Sequence, residues 1–226
     1  MVRPLAVAAV LLIWTAACGR PPEPAATPAS PEPTRDAGTV NPARIDRVRQ
    51  ELPAGYEVVG LDPRATPVSL WGFGPNWTAE PPECAESAAP VADPARGWSA
   101  SGPGGIVYTA IAQAKASAGG PDSERDARCG QWRVSGGHAV GSVTAVEAPV
   151  IEDAVTVGMA TDITTVVEGG TETHSHADTF TADLNSDLGG YHVFVTVVTD
   201  PGSPNPTLQS GFAADLLVKT VSALRG

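Results

Sequence analysis

The sequence has very little cysteine: only Cys18, Cys84 and Cys129 in 226 residues. So few thiols exclude a multi-cysteine zinc ribbon and a disulfide-dense miniature scaffold. Basic charge is also scarce, with 14 Lys and Arg against 25 Asp and Glu and a formal charge of −11. Binding a phosphate backbone requires anions to be neutralised by Lys and Arg, so nucleic acid is excluded as a partner and anionic lipid surfaces are disfavoured. Aromatic residues make up only 5% of the chain, which makes their clustering informative. No apolar run approaches the roughly 20 residues that a spanning helix needs. The motifs of common chemistry are missing too. There is no G-x-S-x-G elbow, no P-loop, no dinucleotide G-x-G-x-x-G after a strand and no H-E-x-x-H. Gly102-Pro-Gly-Gly105 is a turn-former without the helix start that a phosphate cradle requires. No catalytic residue, enzymatic activity or cofactor is expected.

What is abundant is proline, at 22 residues, and its placement divides the chain. Arg3, an apolar run from Leu5 to Trp14 and the small residues before Cys18 have the form of an export signal. One reading is an ordinary secretory signal cut near Ala17. The other is a lipoprotein signal, residues 1–17, with Cys18 as the acylated residue and Thr15 in place of the usual branched aliphatic. We expect the second, with diacylglycerol and a further acyl chain such as palmitate on Cys18, since two chains anchor where one holds only marginally. Residues 18–41 then form a Pro-, Ala- and Ser-rich tether with no secondary-structure period. It cannot bury enough surface to offset its ordering entropy. Extended, its reach is on the order of 70 Å. The expected location is the extracytoplasmic face of the cell membrane, with the membrane engaged through the lipid anchor.

Residues 42–226 read as a single domain. Asn41-Pro42 is a helix start, followed by Ile45, Val48 and Leu52 on one face. Tyr56 to Val59 reads as a strand, and residues 62–104 as a loop-rich middle. Ile106 to Ser117 is ambiguous, strand-like at first and helix-prone later. Gln131 to Val150 alternates around Gly136-Gly137 as a hairpin does. Val155 to Val167, Ala177 to Leu184 and the doubly apolar Tyr191 to Val198 complete the strands. Thr207 to Leu224 is an amphipathic helix in which Phe212, Leu216, Leu217, Val221 and Leu224 face the core, with Asp215 and Lys219 as an exposed i,i+4 pair. The expected class is α+β: an antiparallel sheet flanked by an N-terminal and a C-terminal helix.

Cys84 and Cys129, alone in the domain, are expected to form a disulfide; a redox pair would favour a C-x-x-C spacing. Thr173-His174-Ser-His176-Ala-Asp178 places two imidazoles and a carboxylate on one face of an extended strand. They read either as a divalent-metal site or, preferably, as a solvated strand end. His192, on the central strand, is expected to be a hydrogen-bonded core histidine. Trp71, Phe73, Trp77 and Trp98 concentrate the aromatic mass in the loop-rich middle. They either plug the core beneath the loop or wall a ligand cleft.

The segments Pro-Pro-Glu-Cys84, Gly97-Trp98-Ser-Ala-Ser, Cys129-Gly-Gln-Trp132, Thr156-Val-Gly-Met159, Thr199-Asp-Pro-Gly-Ser203 and Ala214-Asp-Leu-Leu-Val-Lys-Thr-Val221 together resemble an uncharacterised group of mycobacterial lipoproteins. That group is similar to the extracellular sensor domain of PknH-like serine/threonine kinases. The resemblance spans roughly residues 42–226. It implies an antiparallel sheet with flanking helices, a cleft for an unknown envelope ligand and no enzymatic activity. The kinase sensor domain carries two disulfides where this chain can form one, and a kinase domain is absent. The expected function is therefore binding of an envelope lipid or glycan in a sensor-like role. The alternative is an accessory subunit of an envelope complex that recognises protein and has no small-molecule pocket.

Overall fold

Among the described residues, nine antiparallel strands make one sheet in the order β1-β3-β4-β9-β8-β7-β6-β5-β2. The strands are β1 (Glu57–Gly60), β2 (Thr78–Glu80), β3 (Arg96–Gly102), β4 (Gly105–Gln113), β5 (Gln131–Gly136), β6 (Ala139–Val146), β7 (Ala154–Val166), β8 (Glu172–Leu184) and β9 (Tyr191–Thr199). The structure, a computed structural model, describes residues 39–90, 92–115, 128–184, 190–205, 208–209 and 211–226. The export signal, Cys18 and nearly all of the tether lie outside the described residues.

The sheet grows outward from β9, which is buried on both faces from His192 to Val197, as the doubly apolar pattern requires. Beside it, β8 and β7 form a hairpin of two 13-residue strands. Its turn uses Gly169 and Gly170 at φ +87° and +79°, a conformation costly for side chains with a Cβ. β4 pairs with the other side of β9. The helix-prone residues Ala110, Ile111 and Ala112 are strand here, because all three are buried in the interior of the sheet and tertiary burial overrides a weak propensity. Both edges, β1 and β2, are only four and three residues long, which limits edge-to-edge pairing.

The two faces carry separate cores. On the first, the C-terminal helix packs over β8 and β9 beside residues 42–51, with Ile45, Val48, Trp98, Val193, Val195, Leu216, Leu217, Val221 and Leu224 between the layers. Residues 42–51 form a 3-10 helix. Its i,i+3 repeat stacks Ile45 and Val48 toward the core and places Glu51 in the same row. There Glu51 receives Lys219 Nζ at 2.7 Å, so the ion pair of Lys219 crosses to the neighbouring helix instead of pairing with Asp215. The Trp98 indole N–H donates to the Ile45 carbonyl at 3.1 Å. Asn41 caps the start by accepting from the Ala43 amide, and its own N–H donates to the Leu224 carbonyl at 2.9 Å.

On the second face, residues 61–90 run as a strap over the sheet. It contains two single-turn α-helices, α1 (Pro67–Leu70) and α2 (Ala85–Ala88), and a 3-10 turn at Pro82–Cys84. Val68, Trp71, Phe73, Cys84 and Ala88 of the strap bury against Trp132, Val134, Val143, Met159, Ile163 and Ala177 of the sheet. The Cys84–Cys129 disulfide fastens the strap close to the start of β5.

The expected α+β class needs correction: the fold is predominantly β. Nine strands dominate, the N-terminal helix is a 3-10 segment, and α3 (Phe212–Arg225) is the only long α-helix among the described residues. The loop-rich middle caused the difference. It supplies β2 and β3 and covers a face that a second helical layer would otherwise occupy.

Candidate functional site

The Asp62–Pro75 part of the strap does not lie flat on the sheet. A cleft of about 630 Å³ opens beneath it, lined by Gly60 to Asp62, Arg64 to Thr66, Val68 to Leu70, Phe73 to Pro75, Trp77, Ser99 and Tyr108. Sites for small organic molecules occupy this size range. Ser99 and Tyr108 are paired residues on β3 and β4, and strand alternation turns them away from Trp98, Ala100 and Val107 on the first face. They form a hydroxyl-bearing floor. Burial pushes the Tyr108 phenol above its ordinary value, so it remains a neutral O–H at physiological pH.

Local sequence fixes the remaining walls. Asp62 accepts from the Arg64 amide at 2.9 Å, and Arg64 Nε and Nη2 each lie 3.5 Å from its carboxylate. The Arg64 backbone N–H, followed by its guanidinium, holds the Asp62 carboxyl below the usual range. The rim thus carries a carboxylate and a cation side by side. The Ser69 hydroxyl accepts from the Thr66 amide and donates to the Thr66 carbonyl, at 2.9 and 2.8 Å, with Pro67 opening the turn. Phe73 and Trp77 rest over the glycines of the β5–β6 hairpin. A Cβ at Gly136 would lie 3.1 Å from Trp77, and one at Gly141 would lie 3.3 Å from the Phe73 ring.

The four expected aromatics therefore divide. Trp77 lines the cleft, and Phe73 borders it but, 4% exposed, belongs to the second-face core. Trp71 is core: its indole N–H donates to Thr179 Oγ1 at 3.0 Å, and its ring lies 6.3 Å from that of Trp132. Trp98 belongs to the first-face core. Tyr108, Ser99, Arg64 and Asp62 were not singled out from the sequence. The strand-like start at Ile106 to Ile111 would place Tyr108 and Val107 on opposite faces, but nothing in it says which loop covers Tyr108.

His174, His176 and Asp178 share one face of β8, as the spacing required. His176 sits between two carboxylates, with Nδ1 2.7 Å from Asp162 of β7 and Nε2 3.3 Å from Asp178. His174 Nδ1 pairs with Thr164 Oγ1 at 3.2 Å. The hydrogen bond to Asp178, opposed by burial and assisted by Asp162, raises the His176 pKa from 6.5 to about 9. It is an imidazolium clasped on both sides. Among the described residues no group of three His, Cys, Asp or Glu side chains is arranged to hold a metal ion.

A family model described as a domain of unknown function, DUF5642, matches residues 41–225. The chain belongs to this family. Among solved structures, the DUF5642 chain is similar to an uncharacterised protein from Mycobacterium smegmatis, described as an Rv0999 ortholog. The two are 22% identical with a TM-score of 0.57, over 84% of this chain and 100% of the other. At that identity the likeness shows the fold alone. No curated protein matches the chain. Membership of an uncharacterised family is thus shown, and the fold is shared with a mycobacterial protein.

Proposed function

We propose that this DUF5642 domain is the extracytoplasmic part of a lipoprotein, anchored through Cys18, that binds an envelope lipid or glycan in the strap cleft without catalysis. The observation that carries this reading is the opposition of the Phe73–Trp77 wall to the Ser99–Tyr108 floor, with Asp62 and Arg64 at the rim. A sugar ring suits such a site, since its apolar face can pack on an aromatic ring while its hydroxyls bond the rim and floor. An acyl chain would instead use Leu61, Val68 and Phe73. The sensor-like role rests on the resemblance to PknH-like extracellular domains and requires a separate signalling partner. The accessory-subunit alternative has less support. The exposed large apolar residues among those described are all valines, with no exposed aromatic anchor among them, although Val155 and Val157 share one face of β7.

The test is native mass spectrometry of the protein recovered from an envelope fraction, alongside Trp77→Ala. The expected result is a lipid or glycan adduct on the wild type that is lost in the variant, with the variant still folded by circular dichroism. A clean unliganded mass for the wild type would overturn the reading.

A further inference from the structure

The lining of the strap cleft restricts its occupant more narrowly than its size does. An acyl chain needs a continuous apolar lining, and the side chains best placed to supply one are already committed to the second-face core: Val68 is 1% exposed and Phe73 4%. What stays accessible is the partly buried Trp77 and Tyr108 rings, the Ser99 side chain and the Asp62–Arg64 rim, with Leu61 and Leu70 as the partly exposed apolar contacts. Burial alone raises the Tyr108 phenol, with no hydrogen bond contributing, so its O–H is free to bond a ligand. A smaller hollow of about 200 Å³, walled by Pro63, Pro67, Pro90 and Pro94, holds no comparable set. Its histidine, His192, is 5% exposed and bonded through Nδ1 to Asp183 at 2.7 Å.

Charge narrows the choice further. The ionic side chains that line the cleft are Asp62 and Arg64. They carry opposite signs and lie 3.5 Å apart, so the site is neutral within a chain of formal charge −11. Both are open to a ligand, with side chains 59% and 89% exposed. A phosphate or carboxylate could reach Arg64 only by facing Asp62, which stays ionised because the Arg64 amide and guanidinium hold its carboxyl below the usual range. Neighbouring sugar hydroxyls suit the pair, since each O–H both donates and accepts. One can donate to the carboxylate while the next accepts from the guanidinium. The Trp77 indole offers the apolar C–H face of the same ring a flat surface to pack on.

Resting on the reading of the cleft as an envelope-ligand site, we propose that its occupant is an uncharged glycan, with a sugar ring packed on Trp77 and adjacent hydroxyls shared between Asp62 and Arg64. Tyr108 donates from the floor to a further sugar oxygen. Asp62 and Arg64 are then the residues that select for the absence of charge, and the burial of Val68 and Phe73 selects against an acyl chain.

The test titrates the disulfide-closed full chain, labelled with 15N, with maltohexaose, with the same hexasaccharide oxidised at C6 to uronates, and with decanoate. The indole N–H signals separate the sites, because Trp77 lines the cleft while Trp71, Trp98 and Trp132 are core. The expected result is a saturable movement of the Trp77 signal with maltohexaose, binding of the uronate form weaker by about tenfold or more, and no response at Trp77 to decanoate. Asp62→Asn keeps the oxygen that accepts from the Arg64 amide but leaves the guanidinium uncompensated, so the preference should reverse toward the uronate form. Should that variant fail to fold, the wild-type titrations still decide. No movement of Trp77 with maltohexaose, equal binding of the two hexasaccharides, or an unchanged preference in Asp62→Asn would each overturn the proposal. A Trp77 response to decanoate, or a lipid adduct in the native mass spectrum, would overturn it while leaving the envelope-ligand reading in place. A clean unliganded mass with no response to any probe would remove both.

Discussion

Deprotonating His176 should weaken the fold, and the pH at which this happens is set by the two carboxylates around it. The imidazolium has a pKa of about 9 in the folded chain against 6.5 when free. A group whose pKa is raised by folding stabilises fully below its free value, and that contribution is lost as the pH rises through the folded value. The window is therefore about pH 6.5 to 9. In a site closed to water, that difference would be worth about 3 kcal/mol. Here His176 is one-third exposed and the Asp178 and Asp162 side chains are 47% and 82% exposed. Water screens both pairs, and exposed ion pairs are worth about 0.2–1 kcal/mol each, so a loss of about 1 kcal/mol is expected. The assay is urea unfolding from about pH 6 to 9.5 at constant salt, with His176→Gln as the reference that cancels every other titrating group. Wild-type stability should fall toward that of the variant as the pH rises. Asp178→Asn should remove more of the effect than Asp162→Asn despite its longer contact, because Asp178 is less exposed. Parallel profiles for wild type and His176→Gln would refute the reasoning.

Two further perturbations follow from packing and covalent constraint. Gly97→Ala places a Cβ 2.0 Å from the Thr109 carbonyl oxygen and 2.8 Å from the Ala110 Cα. Neither backbone atom can move without parting β3 from β4, so a loss of about 3 kcal/mol or failure to fold is expected in urea titration; near-wild-type stability would contradict the register. Replacing Cys84 and Cys129 together by Ala opens a cross-link spanning 45 residues, which loop-closure entropy values at about 4 kcal/mol. The midpoint of urea unfolding should drop accordingly, and an unchanged midpoint would show that the strap holds without its staple.

Much of the sheet was legible because its strands carry local signals. Gly136-Gly137 and Gly169-Gly170 mark hairpin turns, and the apolar residues on both sides of Tyr191–Val198 require an interior strand. The C-terminal helix was equally plain from Leu216, Leu217, Val221 and Leu224. What could not be read was pairing between strands distant in sequence. β4 lies against β9 and β2 against β5, and these contacts are what turn an apparent loop region into part of a β-dominated fold. The 3-10 form of residues 42–51 was hidden for another reason: Ile45 and Val48 suit an α-helical face as well. The site shows the same division. Phe73 and Trp77 stood out by composition, whereas Tyr108 enters the cleft only through the strap that passes over it. Asp162 and Asp183, the partners of His176 and His192, are set by cross-strand register, which one chain's residue pattern does not disclose.

The clasp between Asn41 and Leu224 has a mechanical consequence. Chain entry and chain exit meet at one corner of the domain, where Arg225 also donates to the Glu152 and Asp153 carbonyls at 2.6 and 2.9 Å. A pull on the segment preceding residue 41 is therefore delivered first to the 3-10 helix and the end of α3, not to a strand. The load has to peel the Trp98–Ile45 and Glu51–Lys219 attachments before it reaches the ladder of the sheet. The strap cleft lies on the opposite face of the sheet from residues 42–51, so a load applied at residue 41 reaches it only through that sheet.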